Sequence, residues 1–391
     1  MRITRRLLQL GFLVLTLVGV FAVGGHAERW CPFGGVEALY TYASAGNLIC
    51  SLGVSNFYVL GGLLVLTLLM RRAFCGYACP IGTISEWLQA LARRCGLRAW
   101  QVPYHLDRGL ALLKYVVLGV IVYFTWTIGE LVFRGYDPCY VLISRHGTDI
   151  TMWAYVVSGA LVLLSLAIIV PFCRWLCPLA AVFTPFSRIG LARVRRSGET
   201  CIDCGLCRRA CPMAIPVDKV AEVTAARCTS CLECVAACPK RAGGALTWGP
   251  PRFIGGHWPQ AVVIGVLLLC IGGAVAATYA FPLPSFIETI GEAPAQTASL
   301  RLRVQGVNCR HSSEQFVAYL RRDDEYSVRG YLRVEAWPQP GMADVRLVYD
   351  PTRTNEQGIK RAITEPYYDL AAGAWTFSAY RIEGYDPLAE P

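Results

Sequence analysis

Cysteine spacing carries the clearest chemistry in this chain. One run reads Cys201-x2-Cys204-x2-Cys207-x3-Cys211-Pro212, and a second reads Cys228-x2-Cys231-x2-Cys234-x3-Cys238-Pro239. Three thiolates at this spacing fold around one cubane [4Fe–4S] cluster, and where two such runs occur together the fourth Cys of each ligates the other cluster. The expected sets are therefore Cys201, Cys204, Cys207 and Cys238 for one cluster, and Cys228, Cys231, Cys234 and Cys211 for the other. A zinc site would use paired Cys-x2-Cys or His-containing patterns and would not demand the x3-Cys-Pro tail twice.

A second cysteine pattern is also duplicated. Phe74-Cys75-Gly76-Tyr77-Ala78-Cys79-Pro80 and Phe172-Cys173-Arg174-Trp175-Leu176-Cys177-Pro178 each close an apolar segment, and each is followed by an amphipathic, Arg-flanked stretch over 84–94 or 183–196. Upstream of each copy a loop places Cys beside Pro, as Cys31-Pro32 and Pro138-Cys139. Two parallel copies related by an axis along a membrane normal would bring Cys75, Cys79, Cys173 and Cys177 together. Four converging thiols could bind a third iron–sulfur centre, bind copper or zinc, or cycle as disulfides; the bland reading is that Cys-Pro merely ends each helix.

These residues need elements to hold them, and composition says which. Of 391 residues 54% are hydrophobic and only 16% charged, with mean hydropathy +0.42. That balance fits a polytopic membrane protein and not a soluble domain of this size. Apolar segments over 7–25, 54–70, 109–133, 152–172 and 261–281 predict five spans. The basic head Arg2, Arg5, Arg6 before the first of them admits a signal peptide cut after Ala27, but the run is long enough for a retained helix, which we adopt.

The net charge of +10 follows topology. Arg71, Arg72, Arg93, Arg94, Arg98 and Arg108 crowd one loop, and Arg193, Arg195, Arg196, Arg208 and Arg209 lie in 173–260, whereas 26–53 holds only Arg29. The positive-inside rule then places the N-terminus and the cluster domain in the cytoplasm and 282–391 outside, in the periplasm of a bacterial inner membrane. This distribution leaves no case for nucleic acid as a partner. The expected domains are a four-helix membrane domain over 1–196, a bacterial-type 2[4Fe–4S] ferredoxin domain over 197–250, a fifth span over 258–282 and a periplasmic domain over 298–391.

Other candidates are weaker. Cys31, Cys50 and Cys139, with His26 and His146 nearby, sit in outer loops, where a disulfide is the default and a small metal site of Cys31, Cys139 and one His is the alternative. Lys114 and Glu130 lie in the third span and are expected to snorkel, the alternative being a quinol or proton site. Five His, none paired at mid-span, and no Cys-x2-Cys-His argue against haem. No nucleotide-binding or nucleophile-elbow motif occurs. After the last span, alternation in Leu300-Arg301-Leu302-Arg303-Val304 and Val345-Arg346-Leu347-Val348-Tyr349 predicts half-buried strands. With strands over 299–305, 327–336 and 343–349 and helices over 312–322 and 355–364, the expectation is a ferredoxin-like α+β βαββαβ sheet, a name that describes the fold and implies no cluster.

The paired Cys-x3-Cys-Pro span ends and the double cluster run together resemble membrane polyferredoxins of the NapH, NosR and CcoG type, over roughly residues 1–281. The resemblance implies iron–sulfur electron transfer, with quinol-dehydrogenase subunits, donors to nitrous-oxide reductase maturation and an assembly copper reductase among the possible roles. Gly306-Val307-Asn308-Cys309-Arg310-His311-Ser312 resembles the metal loop of heavy-metal-associated domains, with Ser312 in place of the second ligand, which leaves Cys309 and His311 as its only candidates. The leading expectation is an electron-transfer protein that links a cytoplasmic or quinone-pool donor to a membrane or periplasmic acceptor. The alternative is an oxidoreductase of metal homeostasis that reduces Cu(II) to Cu(I). A redox sensor is the third reading.

Overall fold

The computed structural model describes residues 1–22, 27–46, 48, 52–97, 100, 102–128, 131, 133–144, 150–251, 253–308, 310–322, 326–337, 342–369 and 373–385. Cys50, Cys309, His26, His146 and Glu130 lie outside the described residues. The chain divides into two compact units, Met1–Glu37 with Ser55–Ala277, and Ala38–Val54 with Thr278–Pro391.

The first unit is built on five apolar helices. Arg2–Ala22, Tyr104–Ile128 and Gln260–Ala280 are long and apolar enough to cross a membrane, while Ser55–Met70 and Met152–Ala167 are shorter. Sixteen residues rise only about 24 Å, against a hydrocarbon core of about 30 Å. Both short helices end within six residues before their Cys-x3-Cys-Pro motif, and the backbone explains why. Arg71 and Val170 adopt positive φ values of 57° and 45°, a conformation that breaks an α-helix and is uncommon outside glycine. Val170 also precedes Pro171, and a residue before proline is pushed out of the helical region.

Beyond each break the two copies take the same path. Cys79 has φ/ψ of −68°/118° and Cys177 of −61°/115°. The Cys79 amide donates to Phe74 O at 3.0 Å and the Cys177 amide to Phe172 O at 2.9 Å. Proline at the first position of a helix loses no hydrogen bond there, so Cys-Pro starts the helices Pro80–Arg94 and Pro178–Ile189. The internal repeat is thus visible as matched geometry.

Between the fourth and fifth helices the cysteine runs fold into a small domain. An antiparallel strand pair, Arg193–Arg196 with Leu246–Gly249, closes it, and it holds two one-turn helices, Leu206–Arg209 and Glu233–Ala236. Its apolar residues Met213, Ile215, Val223, Leu232, Val235 and Trp248 belong to the same buried cluster as Leu63, Leu66, Met70, Tyr77, Phe183 and Leu267 of the helices. The cluster domain and the helical repeat share one core.

The second unit is a five-stranded antiparallel sheet in the order Phe286–Ile290, Leu332–Trp337, Ala343–Tyr349, Ala298–Gln305, Arg381–Ile382. Helices Arg310–Leu320 and Glu356–Thr364 bury Phe316, Val317, Leu320, Ile359 and Ile363 in its core. Asn355 caps the second helix by accepting from Gly358 N at 2.7 Å. The expected strand at 327 begins instead at Leu332, after a turn at Gly330 with φ of 85°. The stretch 282–297, which lies between the expected fifth span and the expected last domain, supplies the edge strand Phe286–Ile290. That edge is covered in turn by the loop between the first two apolar helices: Ile287 N donates to Gly46 O at 3.0 Å and Leu48 N to Ser285 O at 2.9 Å.

Candidate metal centres

The two cysteine runs fold alike. Asp203 and Ser230 have φ of 48° and 47°, and Gly205 and Leu232 of 67° and 60°, at matched positions of the two loops. A left-handed residue in such a turn points successive N–H groups into one concavity, which suits an anionic iron–sulfur centre. Leu232 holds this conformation at a steric cost that sequence alone does not require.

Each loop lines a cavity. One, of about 370 Å³, is bounded by Cys201, Cys204, Cys207 and Cys238 together with Arg196, Asp203, Asp218 and Lys240. The other, of about 360 Å³, is bounded by Cys211, Cys228, Cys231 and Cys234 together with Val194, Met213, Ile215, Val217, Val223 and Leu232. Four of the eight thiols of the runs thus line each cavity. The two cavities differ in character. Each holds one buried thiol, Cys207 in the first and Cys234 in the second, and only the first has an exposed one, Cys204. Burial pushes the Cys211 thiol up to about 12 and the Cys234 thiol well above its ordinary value. Such thiols stay protonated until a cation displaces the proton, so the donor set fits a metal centre whose own charge compensates the thiolates.

The buried cavity abuts the first Cys-x3-Cys loop. A Cβ on Gly76 would lie 2.9 Å from Thr229 O and 3.4 Å from the Cβ of Cys231. Arg72 N donates to Cys228 O at 3.4 Å, and Tyr77 Oη donates to Ser230 O at 3.3 Å. Gly76 is therefore required by close approach. Gly76→Ala is expected to push the loop off Thr229 at a cost of about 1–3 kcal/mol, read as a lower melting midpoint and faster iron release to a chelator. Gly61→Ala, with nothing within 4 Å, should change neither.

Two buried ion-pair sets fasten the same junction. Arg5, from the first apolar helix, donates to both carboxylate oxygens of Glu86 at 2.6 and 2.7 Å, to Glu233 at 3.1 Å and to Gly76 O at 3.0 Å. On the other copy, Asp107 accepts from Arg174 and from Arg227, and from Trp175 Nε1 at 2.9 Å. The first set ties the chain start to Glu233, between Cys231 and Cys234; the second ties Cys173-x3-Cys177 to the residue before Cys228. Sequence reading counted these arginines only as topology signals.

Cysteines of the two halves of the repeat meet beside Gly82. The Cβ position of Gly82 lies 3.0 Å from Cys75 O and 3.9 Å from both Cys173 Sγ and the Cβ of Cys79. Cys173 has Cys79, Cys177 and Cys75 as electrostatic neighbours. Lys114 does not snorkel: it is buried, and Arg72, Arg227, Cys177 and Asp107 surround it.

Cys31 and Cys139 carry free thiols, so the disulfide expected of the outer loops is not formed between these two. They start the short helices Pro32–Glu37 and Pro138–Ile143, and the Asp137 carboxylate accepts from Cys139 N at 2.9 Å. The electrostatic neighbours of Cys139 include Cys177, Cys79 and Cys31, so this loop reaches toward the repeat thiols. His311 is exposed, with its Nε2 3.0 Å from Gln315 Nε2. Among the described residues no three His, Cys, Asp or Glu side chains are close enough to hold one metal ion.

Known proteins share this organisation. A family model described as a 4Fe-4S binding domain matches twice, at residues 52–98 and 150–197, and a 4Fe-4S dicluster domain model matches residues 193–239. The chain is 30% identical over 288 residues to YccM of Escherichia coli, whose name assigns it provisionally to electron transport; the match covers 69% of this chain and 80% of YccM. It is 32% identical over 170 residues to the regulatory protein NosR of Pseudomonas aeruginosa, covering 42% of this chain and 23% of NosR. It is 27% identical over 198 residues to the ferredoxin-type protein NapH of Escherichia coli, covering 46% and 64%. No solved structure matches.

Proposed function

The chain belongs to the family of membrane-bound 4Fe–4S polyferredoxins that includes YccM, NosR and NapH, and from that premise we propose that it conducts electrons between a soluble or quinone-pool donor on the cytoplasmic side and an acceptor in the membrane or beyond it. When bound, its [4Fe–4S] clusters supply one-electron carriers whose potentials follow burial, charge and hydrogen bonding. Cys201, Cys204, Cys207 and Cys238 hold the outer-lying cluster of the domain, and Cys211, Cys228, Cys231 and Cys234 hold the buried one.

The observation that carries this reading is the contrast between the two cavities. The exposed one, rimmed by Arg196, Asp203 and Lys240, is open to a docking redox protein. The apolar one lies directly under Gly76 of the membrane repeat. Arg5 and Asp107 hold that contact rigid, which fixes the separation on which electron transfer depends.

Five spans in a bacterial inner membrane complete the proposal. Support comes from how the helix ends partition. Arg5 before the first apolar helix, Gly76 after the second, Asp107 opening the third, Arg174 after the fourth and Gln260 opening the fifth are linked to one another or to the cluster domain, Gln260 Nε2 donating to Met1 O at 3.1 Å. The opposite ends make their own set, in which Arg134 meets Glu28 at 2.9 Å and Trp126 Nε1 donates to Val36 O at 3.3 Å. The pairing of Gly46 and Leu48 with 285–287 likewise puts the loop after the first span and the chain after the fifth on one side. That side carries few arginines before residue 54, which supports reading it as the periplasmic side. The strand order and two helices of the second unit fit the ferredoxin-like split sheet, which we read as the periplasmic docking domain. Its copper-delivery alternative leans on Cys309 and His311, and His311 is engaged by Gln315.

Proteoliposomes test the function. With the cluster domain outside, added dithionite should reduce ferricyanide trapped inside, and Cys234→Ser should slow that reduction at least tenfold. Equal rates in liposomes with wild-type protein, with the variant and with no protein would contradict the proposal.

A further inference from the structure

The twice-matched 4Fe-4S binding model poses a question of count. Each half of the repeat contributes only two cysteines from its span end, Cys75 and Cys79 or Cys173 and Cys177, and two thiolates do not complete a cubane. We propose that the two halves share one further iron–sulfur centre, ligated by Cys75, Cys79, Cys173 and Cys177, with the buried Arg72 guanidinium as its charge partner. The inference rests on the two-cluster reading above and extends it by one site.

Three observations carry it. First, the thiols come together across the repeat: a single point, the Cβ position of Gly82, lies 3.9 Å from Cys173 Sγ of one half and 3.9 Å from the Cβ of Cys79 of the other. Gly82 itself leaves room there, since any side chain would meet Cys75 O at 3.0 Å. Cys79 and Cys177 present their side chains from the same backbone conformation at the head of a helix, as expected of ligands related by a pseudo-twofold axis.

Second, the set is drawn from both halves of the repeat: the electrostatic neighbours of Cys173 include Cys177 of its own motif and Cys79 and Cys75 of the other.

Third, the charge is in place. Arg72 is 1% exposed, and its electrostatic neighbours are Cys75, Cys177, Tyr115 and Cys173. One of its Nη atoms donates to Thr184 Oγ1, while its Nε has no hydrogen-bond partner among the described residues. Lys114, also buried, adds a second positive charge beside Cys177. The nearby Glu86 is neutralised by Arg5. Neither cation forms an ion pair among the described residues, although Asp107 lies near Lys114, and cations buried among thiols are costly unless something negative occupies the space between them. Four thiolates on an iron–sulfur core supply that charge. The location is also apt: Gly76, between the two cysteines of the first motif, touches Cys231 of the buried ferredoxin set.

The full-length protein, purified without oxygen and analysed for iron and acid-labile sulfide alongside EPR, decides the matter. About twelve irons per chain are expected, against about eight for the two ferredoxin clusters alone. Cys79→Ser and Cys177→Ser should each lose the same complement of about four irons while both ferredoxin signals persist, and the double variant should lose no more. Cys270→Ser, a buried cysteine outside every set, should lose none. Arg72→Met should move the potential of the extra centre to lower values and leave the other two in place, because removing a buried cation destabilises the reduced form. A wild-type count near eight with two intact signals would overturn the shared centre and leave the two-cluster reading standing. A count near four would overturn both. Copper or zinc in place of the extra iron, or additive losses in the double variant, would overturn the shared iron–sulfur assignment. The wild-type count decides even where a variant fails to insert.

Discussion

Asp107→Ala is expected to be the most damaging single change outside the cysteines, destabilising the protein by about 3–5 kcal/mol. The Asp107 side chain is 2% exposed, and it faces Arg174, 6% exposed, and Arg227, 19% exposed. Trp175 Nε1 adds a fourth group to the set. Removing the carboxylate strands the buried Arg174 guanidinium and leaves Arg227, which keeps some contact with water, without its partner, which is why breaking such a set costs more than the set itself contributes. The damage should be local to the second Cys-x3-Cys motif and to Cys228, the neighbour of Arg227. Thermal unfolding in detergent should shift down by roughly 10 °C, with early loss of iron. Asp107→Asn keeps the acceptor oxygen for Trp175 and should fall between. A midpoint for Asp107→Ala within about 2 °C of wild type would mean that the ion pairs do not hold the junction.

Arg5→Met comes second. Arg5 is the common partner of Glu86 and Glu233, whose side chains are 16% and 18% exposed. Because both carboxylates keep some contact with water, the expected cost is smaller, about 2–3 kcal/mol. Arg5→Lys should recover less than half of it, since an ammonium cannot reproduce the two parallel bonds to Glu86. The same variant separates the two readings of the N-terminus. If the first helix were a cleaved signal peptide, the mature protein would lack Arg5 and its stability would not respond. A shift in melting midpoint for Arg5→Met, with the N-terminal sequence of the purified chain still present, is the expected result.

The chemistry was legible in the sequence because ligand spacing is local. The two ferredoxin runs and the two Cys-x3-Cys-Pro motifs could be read residue by residue, and the matched backbone at Cys79 and Cys177 follows from Pro at the first helical position. The apolar helices were legible too: the second matches its expected 54–70, whereas the fourth stops at Ala167 and not at 172, because the break before Pro171, where Val170 takes a positive φ, has no glycine to announce it. What composition hid was the use of charge. Arg5, Arg71, Arg72, Arg174 and Arg227 all enter the sequence as positive charge flanking apolar segments, and each is also engaged at a specific place. Arg71 Nε, for example, donates to Ala192 O and its Nη1 to Ala225 O, at 2.6 and 2.9 Å. A long-range pair such as Arg5 with Glu86 leaves no trace in spacing. The one available hint was scarcity: in a chain only 16% charged, a carboxylate such as Asp107 at the mouth of an apolar helix needs a partner. The edge strand Phe286–Ile290 was missed for a related reason, since its pairing partners lie in 332–337 and 46–48 and not nearby in sequence.

Crossed ligation of two clusters is the claim on which the rest depends, and EPR of the dithionite-reduced full-length protein tests it most directly. Cys238→Ser should abolish the same cluster signal that Cys204→Ser abolishes, although Cys238 belongs to the run of Cys231, and Cys231→Ser should instead remove the signal that Cys211→Ser removes. If Cys238→Ser and Cys231→Ser were to eliminate one and the same signal, each run would hold its own cluster, and the assignment of the exposed and buried cavities would be wrong.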